Sequence, residues 1–124
     1  MHYVGIALAA LIGVGIIVIG VQFLLAPVAS AKGFGLPSWP STGNDLAWLN
    51  LKGIRDITSG LVILIPLAMG NLHLTGWLIL ASTVTPLGDA LTILKYRGNK
   101  TTAYSVHAAT AVATTVAGVL LLLS

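Results

Sequence analysis

Residues 49–60 read Leu-Asn-Leu-Lys-Gly-Ile-Arg-Asp-Ile-Thr-Ser-Gly. Lys52, Arg55 and Asp56 fall inside a run that is otherwise oily enough to cross a membrane. A charge at the centre of a bilayer helix costs about 2.5–3.5 kcal/mol on insertion scales. Such residues therefore face one another, a water-filled cavity or a ligand. The chain has three acidic residues, and a second one, Asp89, also lies in an apolar run. The function is expected where these charges meet.

The surrounding composition agrees with a membrane setting. Hydrophobic residues make up 56% and charged residues 7%, against about 25% charged in a soluble domain. The 124 residues suit one domain. Four apolar runs, at about 3–26, 46–69, 72–94 and 102–123, each reach the roughly 20 residues a spanning helix needs. Backbone polar groups in lipid must be satisfied within the segment, so each run reads as a helix. The expected fold is all-α: a four-helix transmembrane bundle with an interfacial loop between the first and second spans. Ala29-Ser30-Ala31 resembles a cleavage site, but the apolar stretch before it is too long for a signal peptide and lacks a positive start. It reads as a retained span.

The connections give an orientation. Residues 27–45 are long and hold Phe34, Pro37, Trp39 and Pro40, the composition of a cap at headgroup level. Asn44 or Asp45 can cap the helix that follows. Residues 69–71 and 95–100 are short turns. Lys32, Lys95, Arg97 and Lys100 all belong to the first and third connections. The positive-inside rule makes that face cytoplasmic and leaves both termini outside, in a multi-pass protein of the cell membrane. The +3 charge is thus spent on topology, and no nucleic-acid partner is expected. His73, near Trp77, reads as an outer headgroup contact. Gly5, Ala9, Gly13 and Ala109, Ala113, Ala117 form small-residue ridges. These pack within the bundle or against a second copy in a homodimer.

Depth and face bring the polar residues together. At about 1.5 Å per residue, Lys52 is about 10 Å below Asp45 and Arg55 about 15 Å. By the same rise Asp89 is about 9 Å below Lys95, His107 about 10 Å below Lys100 and Gln22 about 6 Å from the end of its span. Lys52, Arg55, Asp56 and Ser59 share one helical stripe, with Asn50 in the same segment. Ser82, Thr85, Asp89, Thr92 and Tyr96 form another, and Pro86 frees the carbonyl of Ser82 and can kink the helix. Tyr104 and His107 share a face of the last span. The candidate catalytic set is Arg55, Asp56, Asp89 and His107, with Gln22, Asn50, Lys52, Ser59, Thr85 and Tyr104 as ligand contacts. Arg55, permanently charged, is expected to pair with Asp56 or Asp89. Lys52, able to snorkel to the interface, is the weakest member. Two carboxyls beside an imidazole provide the parts for acid–base chemistry. A purely structural role, in which ion pairs fix helix register, is the alternative.

Several chemistries are excluded. With no Cys there is no disulfide, thiolate metal site or iron–sulfur cluster. No two His stand at ligand spacing, and Asp56, Asp89 and His107 would hold a metal only with Arg55 turned away, so no metal is expected. No cofactor is expected, with haem through His107 alone as the minor alternative. No phosphate loop, nucleophile elbow or dinucleotide fingerprint is present.

Gly53-Ile54-Arg55-Asp56-Ile57-Thr58-Ser59-Gly60, Pro86-Leu87-Gly88-Asp89 and His107 together resemble a pattern found in small four-span bacterial and fungal membrane proteins of unknown function. These are broadly similar to the DoxX-like proteins. The resemblance implies a four-helix bundle and brings no settled reaction. DoxX-like relatives are linked to quinone or thiol redox systems, and this chain has no thiol. The leading expectation is an intramembrane pocket for a small lipophilic molecule, with acid–base enzymes such as an isomerase, cyclase or epoxide-opening enzyme as the catalytic version. The alternatives are a quinone- or isoprenoid-binding accessory subunit and a small proton-coupled exporter.

Overall fold

The computed structural model describes residues 1–124 and is helical throughout its length apart from short connections. Helix α1 spans His2–Leu25 and ends where Ala26 leaves the helical region at φ −137°, ψ 65°. Pro27 then opens a second helix, α2 (Pro27–Phe34), at the position where its missing N–H costs nothing. Gly35, at φ 109°, closes α2 in the left-handed conformation. After an extended stretch, a 3₁₀ turn at Gly43–Asp45 leads into α3 (Leu46–Ala68). Asp45 occupies the N-cap position but its side chain makes no capping bond, so the expected cap is replaced by the 3₁₀ turn.

A tight turn through Gly70 follows, and the Asn71 side chain accepts from the Leu74 N–H at 3.1 Å to cap α4 (Leu72–Ser82). α5 (Val84–Lys95) continues it after an interruption at Thr83, three residues before Pro86. That is the kink expected where a proline withdraws a donor. Asn99 caps α6 (Lys100–Thr102) by accepting from the Thr102 N–H at 3.0 Å. The chain then passes through a π-helical segment, Ala103–Ala108, and ends in α7 (Ala109–Leu122).

Three of the long helices, His2–Leu25, Leu72–Lys95 and Lys100–Leu122, are long and apolar enough to cross a membrane. α3 is of similar length, 23 residues, and differs by carrying Lys52, Arg55 and Asp56. The four rods pack antiparallel, α1 on α3, α3 on α4 and α4 on α7, with α7 closing back on α1. Lipid tails are as apolar as leucine, so close approach rather than water exclusion holds such helices together. α1 and α3 approach closely where glycine lies on glycine. A Cβ at Gly20 would stand 2.5 Å from the Gly53 carbonyl oxygen, and one at Gly60 would stand 2.5 Å from that of Gly13. The Gly5, Ala9, Gly13 ridge is buried inside the bundle. Of the α7 ridge, Ala117 is fully buried while Ala109 is exposed.

The two ends of the bundle differ. At the end carrying the termini, Ala9, Ile63, Ile79, Ala117 and Leu121 form a close-packed apolar core. At the other end a smaller cluster of Phe23, Ala31 and Leu49, with Phe34, Trp39 and Leu46 against it, seats α2 as a cap. The Asn99 N–H donates to the Gly35 carbonyl at 2.8 Å, so the first and third connections meet at this end. α3 packs on α4, whereas α5 makes its main contacts with the π segment and α7. The rods are therefore splayed beneath the cap.

Candidate functional site

The splayed end encloses a cavity of about 560 Å³, within the range of small-molecule sites. Seven of the residues singled out from the sequence line it: Gln22, Lys52, Asp56, Ser59, Thr85, Asp89 and His107. Arg55 lies on a neighbouring cleft with Trp48 and Leu51. Asn50 and Tyr104 line neither. Asn50 instead donates from Nδ2 to the Phe23 carbonyl at 3.1 Å and fixes α3 to α1, and Tyr104 is exposed.

The charge pairing corrects the sequence expectation. Lys52 Nζ donates to Asp56 Oδ2 at 2.6 Å. Arg55 pairs with neither Asp56 nor Asp89. The reason is helical geometry: adjacent residues do not face each other, while residues four apart do. Asp89 is out of reach because α3 and α5 stand apart across the cavity. Nor does Lys52 snorkel away. Its ammonium sits 4.3 Å from the Phe23 ring centroid and 5.2 Å from that of Phe34. This cation–π box and the Asp56 carboxylate hold Lys52 against the cavity wall.

His107 is the second centre. It lies on the π segment, a form of helix that recurs at functional sites. Its side chain is 11% exposed. Nε2 is 3.0 Å from the Phe34 carbonyl oxygen and Nδ1 is 3.7 Å from Asp89 Oδ2. The Phe34 ring leans on the imidazole with centroids 4.6 Å apart. A carbonyl can only accept, so Nε2 carries a proton. Nδ1 then faces Asp89 Oδ2 at 3.7 Å, beyond direct hydrogen-bond length. That arrangement can give a proton to a bound molecule and take one back.

The cavity floor is polar but satisfied. Thr83 donates to Thr114 Oγ1 at 2.8 Å, and Thr114 donates to the Ala111 carbonyl at 3.0 Å. Ile16, Ile19, Phe23 and Val106 supply an apolar wall. No three His, Cys, Asp or Glu side chains stand close enough together to hold a metal ion. At the opposite end Trp77 Nε1 donates to His73 Nε2 at 3.1 Å, far from this site in the fold.

The sequence reading missed α2 and the aromatic wall. Ala26, Ala29, Ser30 and Gly33 all line the cavity, at the i, i+3, i+4, i+7 spacing of one helical face. Pro27 before and Gly35 after this run were the available signals. Nothing local announced that the Phe34 carbonyl would meet a histidine 73 residues away.

Comparison with known proteins is narrow in outcome. No curated protein and no solved structure matches the chain. One family model matches residues 13–121, from the middle of α1 to the last turn of α7, and so takes in every cavity-lining residue. The chain belongs to this family, described as a domain of unknown function (DUF4267).

Proposed function

We propose that this protein is a four-span membrane protein whose capped end binds a small lipophilic molecule and exchanges protons with it. The observation that carries the reading is the cavity of about 560 Å³ in which Asp56, Asp89, His107 and Lys52 meet an apolar wall. A bundle held only by interhelical ion pairs has no need of such space. α3 would be the fourth span, its three charges facing the cavity and the cleft beside it rather than lipid. With Lys32, Lys95, Arg97 and Lys100 at the capped end, that end would be cytoplasmic and both termini outside.

In the catalytic version, Asp89 and His107 relay a proton to and from the ligand, as an isomerase, cyclase or epoxide-opening enzyme requires. The DoxX-like kinship suggested by the Gly53–Gly60 and Pro86–Asp89 motifs belongs to this reading and makes quinones and isoprenoids the first ligands to try. A binding subunit without turnover would use the same cavity.

The test is retention of a ligand. The chain would be purified in mild detergent and its bound lipophiles extracted and identified by mass spectrometry. A Cβ on Gly33 meets open space, so Gly33→Phe would fill the cavity with little strain elsewhere. The expected result is a lipophile that accompanies the wild-type chain and is lost from Gly33→Phe. Asp89→Asn should keep the ligand and lose its turnover. If neither chain carries a lipophile, and ubiquinone or farnesol added in excess is not retained either, the reading fails.

A further inference from the structure

We infer that the ligand is an anionic amphiphile, a hydrocarbon chain ending in a carboxylate or phosphate, with its head on Arg55 and its tail in the cavity. The inference rests on the cavity reading above and narrows it to a class of ligand.

It follows from the charges. Lys52 is matched by Asp56 at 2.6 Å. Asp89 has the His107 imidazole beside it, 3.7 Å away. Arg55 alone is left over. Its side chain makes no hydrogen bond and no ion pair, and guanidinium does not lose its proton in proteins. An unmatched cation in a spanning helix is costly and is kept where an anion answers it.

The geometry joins this cation to the cavity. Arg55 lies in a cleft of about 410 Å³ with Trp48 and Leu51. Lys52, Asp56, Ser59, Thr85 and Asp89 line both that cleft and the larger cavity, so the two spaces share a wall. α3 and α5 flank this passage and do not pack closely on each other. The two carboxyls on the shared wall already have partners, Lys52 and His107, and leave Arg55 available to a third anion. Its fork of donors suits a carboxylate or phosphate held by two hydrogen bonds. The Ser59 and Thr85 hydroxyls stand beside the passage. Beyond them Ile16, Ile19, Phe23 and Val106 offer the apolar lining that a tail needs. The anion could belong to a single-chain acid or to a phospholipid of the bilayer.

The experiment compares oleate with oleyl alcohol, which has the same chain and no charge. Binding of each to the full chain in dodecyl maltoside is titrated by native mass spectrometry. Oleate is expected to bind at least tenfold more tightly than the alcohol. Arg55→Gln should bring that ratio close to one and leave the alcohol's affinity unchanged, while Arg55→Lys keeps part of the preference. Should Arg55→Gln not fold, the wild-type ratio and Arg55→Lys still decide the matter. Displacement of oleate by phosphatidylglycerol would identify a bilayer phosphate as the natural head. Failure to displace it would point to a single-chain acid. Equal binding of the two probes by wild type, or a preference intact in Arg55→Gln, overturns this inference and leaves the cavity reading standing. Binding of neither probe also overturns this inference, and retention of ubiquinone or farnesol then decides the cavity reading.

Discussion

The imidazole of His107 hydrogen-bonds through Nε2 to the carbonyl oxygen of Phe34 at 3.0 Å. This bond ties the π segment of the last rod to the final residue of the α2 cap. It also fixes the tautomer. Because the carbonyl has no proton to give, Nε2 is the donor, and Nδ1 is the ring nitrogen left facing Asp89.

The tautomer can be measured directly. In protein labelled with ¹⁵N-histidine, the neutral form of His107 should show a protonated Nε2 and a bare Nδ1. His107→Gln can still donate from its side-chain amide, whereas His107→Ala leaves the Phe34 carbonyl without its partner. An unsatisfied buried acceptor costs about 1–3 kcal/mol. This bond is part-buried, so the alanine variant should lose less than that full range and the glutamine variant less still. An Nδ1–H tautomer would remove the basis for the proton-exchange role of that nitrogen.

Lys52 and Asp56 make a second prediction. Their side chains are 32% and 18% exposed, and they touch through a 2.6 Å bond. Asp56→Leu leaves the ammonium facing two aromatic rings without its counter-charge. Breaking a fully buried pair costs about 3–5 kcal/mol, and partial exposure should bring this pair below that range. Lys52→Met combined with Asp56→Leu should recover much of the loss. Arg55→Gln, which breaks no ion pair and removes an unmatched charge, should not lower stability. Thermal unfolding in detergent would order the variants. A loss for Arg55→Gln equal to that for Asp56→Leu would mean that Arg55 has an internal partner after all.

The Lys52 pairing shows how far the sequence could be read. The i, i+4 spacing of Lys52 and Asp56 was visible, but the fixed charge of Arg55 drew attention to a neighbour that faces another way. The long helices were legible because runs of more than 20 apolar residues leave the backbone no other choice. The polar part of the cavity lining was legible for a related reason: polar residues are so few that helical rise and face brought them together. α2 was not, since eight mostly small residues among prolines and glycines read as loop. The π segment has no local signature, and its partners Phe34 and Asp89 come from elsewhere in the chain. The glycine contacts were half seen. A search at four-residue spacing found Gly5, Ala9 and Gly13, whereas α1 and α3 also meet at Gly13, Gly20, Gly53 and Gly60, spaced two turns apart on each helix.

Those glycines give a third prediction. At Gly53 a Cβ would stand 2.6 Å from the Gly20 carbonyl oxygen, with backbone that cannot step aside. Gly53→Ala should push α1 from α3 and cost about 1–3 kcal/mol, the usual penalty of overpacking. Gly88, on α5, has open space where its Cβ would lie. Gly88→Ala should be neutral or stabilising by up to about 1 kcal/mol, the difference in helix propensity. Equal unfolding midpoints for the two variants would contradict the close contact of α1 with α3.

The orientation is the last prediction. The cap and the turn at residues 95–100 touch each other and hold Lys32, Lys95, Arg97 and Lys100, so the capped end should be cytoplasmic. The chain has no cysteine, which makes single-cysteine labelling clean. Gly98 is a poor site, because a Cβ there would run into the Gly35 carbonyl oxygen. Ser38 is exposed in the first connection, and Met69, 77% exposed, lies at the opposite end of α3. In intact cells an impermeant maleimide should label Met69→Cys and spare Ser38→Cys until the membrane is opened. If α3 did not cross the bilayer, both sites would lie on one side and label alike. The reverse pattern would keep all four spans but turn the cavity toward the outside, and its protons would then come from there.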